Sequence, residues 1–245
     1  MTPFLLLAAA LTDISGDAAR TAACKSLIAR DAPAAVEQAG AWADRDQSVA
    51  ARQCLGLAFA AVERWAPAQA VFEQAAADAA AAYDPRAPGL WSAAANAALA
   101  ADQPAKARAD LDHALSAPAL PPVLAGEAWI DRARANVALD DLGQARIDMD
   151  KALALVPQDP FAWLLSATLA RRQDDLPRAQ KDIMVALKAA SDDPAVQLEA
   201  GNIAAAGGQL DAARAAWTRA AQMAPTDPAG KTAAALLAQP GVPTK

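Results

Sequence analysis

The dipeptide Asp-Pro stands at Asp159-Pro160, Asp193-Pro194 and Asp227-Pro228, each recurrence 34 residues after the last. Aspartate accepts hydrogen bonds from the free N–H groups that open a helix. Proline suits the first helical position, where its missing N–H goes unused. Helix starts at a fixed period point to a repeat array, in which each unit hides its apolar face only against its neighbours.

A second marker sits inside each period. Ala68/Phe72/Ala75, Ala107/Leu111/Ala114, Ala145/Met149/Ala152, Ala179/Ile183/Ala186 and Ala213/Trp217/Ala220 share offsets of four and seven, which put all three residues on one helical face. Two alanines flanking one large side chain let a neighbouring helix come close while the large group anchors it. A partner helix lies upstream: Trp91, Trp129 and Trp163 stand 16 residues before the first alanine, and Gly56, Ala95, Ala133, Ala167 and Gly201 stand 12 before it. Short turns such as Asp102-Gln103-Pro104, Asp140-Asp141-Leu142 and Asp174-Asp175-Leu176 join the two. Composition agrees, since the 55% of apolar residues are mostly alanine, the best helix former, and aromatics are 4%.

These markers resemble the tetratricopeptide repeat (TPR), a helix–turn–helix unit with large and small residues on its first helix and Ala-x3-Phe-x2-Ala on its second. The resemblance implies an all-α fold, an α-solenoid wound as a right-handed superhelix of antiparallel helix pairs. Five units fit, near residues 49–82, 88–121, 126–159, 160–193 and 194–227. Surplus residues near Tyr83–Ala87 and Pro122–Ala125 predict an extra helical turn or a loop at each place. Ala98, Asn136 and Ala170 stand where the family usually has an aromatic, which predicts looser packing there. Residues 18–48 read as a degenerate unit and 228–239 as a capping helix, so that 18–239 forms one solenoid domain with a flexible tail at 240–245. Residues 1–17 read either as a signal-like segment or as a disordered N-terminus.

Cys24 and Cys54 fall in the first helices of adjacent units, which pack side by side. They read either as a disulfide, worth roughly 3–4 kcal/mol in the chain-entropy model, or as two buried thiols. A bond would imply an oxidising compartment, hence a periplasmic location with a cytoplasmic one as the alternative. One histidine, His113, and two cysteines make no metal ligand set.

In the family the first helices line a concave surface that binds extended peptides. Carried over to this sequence, the groove positions with recognition chemistry are Asn96, Arg134, Thr168, Arg171 and Asn202. Amides can bond both backbone groups of a strand, and guanidinium can hold a carboxylate through two bonds. Gln53, Leu57, Ser92, Leu99, Ile130, Val137, Phe161, Leu164 and Leu198 complete the expected face. The groove lacks the lysines with which some family members clamp a C-terminal carboxylate. No catalytic constellation, cofactor motif or phosphate loop is legible. A net charge of −6 with no basic cluster argues against a nucleic-acid partner, and the longest apolar run, 4–11, is too short to span a membrane. The sequence therefore predicts a non-catalytic scaffold for a protein or extended peptide. The alternative is a self-associating, homo-oligomeric structural module of a cell-envelope complex.

Overall fold

The computed structural model describes residues 4–117 and 120–239, with side chains from Gly16 onward; the expected tail at 240–245 lies outside them. All regular structure among the described residues is helical: α1 (Phe4–Arg30), α2 (Ala32–Asp46), α3 (Val49–Ala61), α4 (Trp65–Ala81), α5 (Ala87–Ala100), α6 (Pro104–Leu115), α7 (Pro122–Ala138), α8 (Leu142–Leu155), α9 (Pro160–Arg172), α10 (Leu176–Ala189), α11 (Pro194–Ala206), α12 (Leu210–Met223) and α13 (Pro228–Leu237). They gather into two compact units, Met1–Leu124 and Ala125–Lys245. Residues 4–17, the stretch with the signal-like composition, belong to α1.

The Asp-Pro marker acts as expected at two of its three sites. Asp159 accepts from Phe161 N–H at 2.9 Å and Asp193 from Ala195 N–H at 2.7 Å, whereas Asp227 makes no side-chain cap bond. The paired acids divide two tasks. Asp140 and Asp174 take the left-handed conformation, with φ of 61° and 59°, while Asp141 and Asp175 cap α8 and α10.

The turns within the five helix pairs from α3 to α12 close in one way. The residue at Glu63, Asp102, Asp140, Asp174 or Gly208 is left-handed, and the next N–H reaches back five residues to the last turn of the first helix. Examples are Gln103 to the Ala98 carbonyl at 2.8 Å and Asp175 to the Ala170 carbonyl at 2.9 Å. This arrangement satisfies carbonyls that a helix end leaves free.

Packing within a pair depends on matched sizes. Gly56 faces Phe72, whose ring lies 2.6 Å from where a Cβ would stand, and Gly201 faces the Trp217 indole in the same way. Where the second-helix residue is the smaller Leu111, Met149 or Ile183, alanine suffices at 95, 133 and 167, and all three alanines are fully buried. The motif alanines (68 and 75, 107 and 114, 145 and 152, 179 and 186, 213 and 220) are likewise buried without remainder.

Both surpluses are visible. α4 runs on to Ala81, and α7 starts at Pro122 after the longer connection from Leu115. At the positions expected to pack loosely, Ala98, Asn136 and Ala170 are fully buried. At Asn136 the aromatic is replaced by a polar cluster.

Candidate functional site

The groove candidates do not behave alike. Asn96, on α5 of the first unit, is exposed. In the second unit, Arg134 is exposed on α7 and pairs with Asp131 at 2.9 Å on its own helix. The Thr168 hydroxyl donates to the Leu164 carbonyl at 2.9 Å and so is spent within α9. Arg171 reaches across to α11, where its Nε donates to Glu199 at 2.6 Å. Asn202 donates to the same carboxylate at 3.0 Å and accepts from the Trp217 indole N–H at 3.1 Å. Arg171 and Asn202 are thus brought together as a tie between α9, α11 and α12, with Glu199 nearly buried between them. Ile130 and Leu164 sit in the hydrophobic cores. Phe161 is half exposed.

What the first helices do offer is a cavity of about 260 Å³ between α7, α8 and α9. Val137, Met149, Leu165 and Leu169 form its apolar floor, and Arg134, Thr168 and Arg172 its rim. Arg172 was not among the expected groove residues. It is exposed at the last residue of α9, one position beyond the inward-facing Arg171, so a register carried over from family positions passes it by.

A second feature that the repeat markers do not reveal is a buried carboxylate just before the large residue of the second-helix motif, at Asp110, Asp148 and Asp182, each at most 3% exposed. The signal was present in the sequence as an acid at the same register in three of five units. Asp148 is fully satisfied. It accepts from Arg132 Nε at 2.9 Å and Nη2 at 2.7 Å, from Asn136 at 2.9 Å and from Gln144 at 3.0 Å. Asp182 accepts from the Ser166 hydroxyl at 2.6 Å and from Arg178 at 3.3 Å, while Arg146 donates to the same hydroxyl and to the Ser166 carbonyl, both at 2.8 Å. Asp110 differs. Its Oδ2 has no hydrogen-bond partner. Burial pushes its carboxyl up to about 6; a bond from Gln69 opposes the rise and the nearby Glu73 charge adds to it.

Cys24 and Cys54 are joined as a disulfide between α1 and α3, with Cα atoms 6.2 Å apart. His113 lies on α6 with its ring stacked on Trp91, centroids 4.5 Å apart. Among the described residues no group of three or more His, Cys, Asp or Glu gathers in a way that could hold a metal ion. No helix searched among them is long and apolar enough to cross a membrane.

Recurrent helix pairs, left-handed turns and alanine seams define an all-α solenoid of TPR type, and solved structures bear this out. The chain is similar to PilW, described as a widely conserved type IV pilus biogenesis factor, with 18% identity over 88% of this chain and 97% of that one and a TM-score of 0.73. It is also similar to pilF of Pseudomonas aeruginosa, at 15% identity over 91% of this chain and 98% of that one, TM-score 0.71. A third is YrrB, described as a TPR protein with an unusual peptide-binding site, at 15% identity over 82% of this chain and 99% of that one, TM-score 0.57. At these identities the likeness is one of fold. No protein-family model matches the chain, and no curated protein does.

Proposed function

We propose that the chain is a non-catalytic scaffold that binds an extended segment of a partner protein along the first-helix face of its second unit. The observation that carries this reading is the cavity between α7, α8 and α9. Its floor is apolar, its volume suits one or two side chains, and Arg134 and Arg172 stand at its rim in a protein of net charge −6. Such a site favours a segment that places an apolar side chain in the cavity and a carboxylate within reach of guanidinium. Asn96 offers the first unit an exposed amide of the kind that bonds a peptide backbone. The peptide-binding site of YrrB and the description of PilW as a type IV pilus biogenesis factor agree with this class of function. The Cys24–Cys54 bond supports an oxidising compartment, which for a bacterial chain means the periplasm.

The test is capture of partners from the native source by wild type, Arg134→Ala, Arg172→Ala and Arg171→Ala proteins. Arg134→Ala and Arg172→Ala should each weaken recovery of the specific partner about tenfold, equivalent to about 1.4 kcal/mol. Arg171→Ala, which breaks an internal tie, should change stability first. Undiminished recovery by the Arg134→Ala/Arg172→Ala double variant would refute the assignment. A mass that rises with concentration by light scattering, and falls back in the double variant, would make a second copy of this chain the occupant.

A further inference from the structure

The degenerate first repeat, 18–48, keeps the second-helix offsets of four and seven at Ala35, Ala39 and Trp42, but the sizes are changed. The middle position holds Phe72, Leu111, Met149, Ile183 or Trp217 in the five pairs from α3 to α12; here it is Ala39. The residue 16 positions earlier, which faces the large ring at Gly56 and Gly201, is Ala23. Two small residues thus meet where the other pairs set a large one against a small one. The consequence is a cavity of about 220 Å³ lined by both Ala23 and Ala39. Trp42 stands where the motif has its second alanine. Its indole N–H is tied to Asp46 at 2.5 Å, so the ring walls the space instead of plugging it.

Leu27 and the Cys24–Cys54 disulfide complete an apolar interior. Arg20 and Arg45 also line the cavity, and none of its lining residues is acidic. Arg20 is held by Asp46 at 3.4 Å and Asp17 at 3.9 Å, both long contacts. Arg45 is exposed and makes no ion pair or hydrogen bond among the described residues. An apolar hollow edged by an uncommitted guanidinium is complementary to an apolar body that ends in a carboxylate. An apolar cavity of about 150 Å³ takes a benzene-sized guest, so this one has room for a short hydrocarbon chain. The other pairs indicate what kind of chain. Where alanine stands at 95, 133 or 167 the side chain 16 positions later is aliphatic, and a ring appears only where glycine stands. Ala23 places the first repeat with the former.

We propose that this cavity binds a small aliphatic carboxylate. Its chain takes the place of the missing middle side chain between Ala23 and Ala39, and its charge is met by Arg45, with Arg20 as the second cation. The ligand completes the first repeat as Leu111 or Ile183 completes its own pair. The site belongs to the first compact unit and the α7–α9 cavity to the second, so either reading can fail alone.

The test uses the intact, disulfide-bonded protein and isocaproate, a carboxylate with a leucine-like tail. Ligand-observed NMR should show saturable binding with a Kd below about 1 mM, and the neutral isocaproamide should bind about tenfold more weakly. Arg45→Ala should remove the preference for acid over amide. Ala39→Leu supplies the plug from within, so it should abolish binding and raise the midpoint of thermal unfolding. Equal binding of acid and amide would make the cavity merely apolar and overturn the proposal. So would an unchanged preference in Arg45→Ala, wild-type binding by Ala39→Leu, or no binding at about 1 mM isocaproate. N-acetylglycyl-leucine with its carboxylate free separates the two sources of this chemistry. Binding tighter than that of isocaproate identifies the C-terminal leucine of a polypeptide, and weaker binding a short-chain acid in solution.

Discussion

The two compact units are made from the same helix pairs but secured differently. In the second, buried carboxylates are paired with cations: Arg132 with Asp148 and Arg171 with Glu199 across helices, and Arg178 with Asp182 within α10, the acids being at most 8% exposed. In the first, α1 is fastened to α3 by a disulfide. Its cores are largely alanine. Its ion pairs, such as Arg52 with Asp78 and Arg86 with Asp84, lie nearer the surface. Among the described residues of this unit the one buried carboxylate, Asp110, has an oxygen without a hydrogen-bond partner. A helix-pair repeat fixes the backbone but leaves open whether charge, covalent bond or apolar contact holds one pair to the next. The second unit has committed its buried charges to ion pairs, while the first has left one buried carboxylate oxygen without a partner.

The largest effect should come from breaking a buried pair. Arg132→Met leaves Asp148 without its cation in a fully buried setting and should cost about 3–5 kcal/mol in denaturant unfolding. Arg52→Met, at the more exposed pair of the first unit, should cost under about 1 kcal/mol. Equal losses would erase the contrast. Next in size is the disulfide. The Cys24→Ser/Cys54→Ser double variant should lose roughly 3–4 kcal/mol in the chain-entropy model. Hydrogen exchange should place that loss in α1 and α2 while α9 to α12 keep their protection. A loss spread evenly over both units would show that the bond does not act locally.

Much of this was legible beforehand. Offsets of four, seven and 34 locate every helix pair from α3 to α12, because alanine seams and proline caps are local constraints that the sequence displays directly. The Gly56–Phe72 and Gly201–Trp217 matches are also legible as one, since at the register of 56, 95, 133, 167 and 201 a glycine appears only where the residue 16 positions later is aromatic. The side-chain ties were harder. Thr168, Arg171 and Asn202 follow from position on a helix alone. A position fixes the face a residue occupies but not whether Glu199, also on α11, will take its hydrogen bonds. Arg172 was missed for the same reason. Whether Cys24 and Cys54 were bonded or free depended on a separation between α1 and α3 that a spacing of 30 residues does not supply.

Asp110 allows the contrast to be sharpened by pH. Its ordinary value of 3.8 is raised to about 6 on folding, so between these values the folded chain holds a proton that the unfolded chain has released. Stability should therefore fall as pH rises from about 4 to 6 and level off above, by on the order of 1–2 kcal/mol from this group. Glu73 on α4, with Lys106 and His113 on α6, are the charged or titratable neighbours that act on it. Asp110→Asn should flatten the decline and leave the protein more stable than wild type at pH 7. A variant as steep as wild type would mean that another group causes it.

The smallest effect concerns the turns. Glu63 in the first unit and Asp140 in the second are both left-handed, at φ of 57° and 61°, where the Cβ of an ordinary residue is crowded. Glycine relieves that crowding, as Gly208 does at the equivalent place in the last pair, but it also frees the unfolded chain. For Glu63 relief should win, and Glu63→Gly should raise the midpoint of unfolding by an amount worth about 0.5 kcal/mol. Aspartate tolerates this conformation better because its short side chain can hydrogen-bond locally. Asp140→Gly should therefore gain less than Glu63→Gly, or nothing. If Asp140→Gly gained as much, the side-chain chemistry of the second-unit turns would contribute nothing, and the difference between the units would lie entirely in their buried charges and the disulfide.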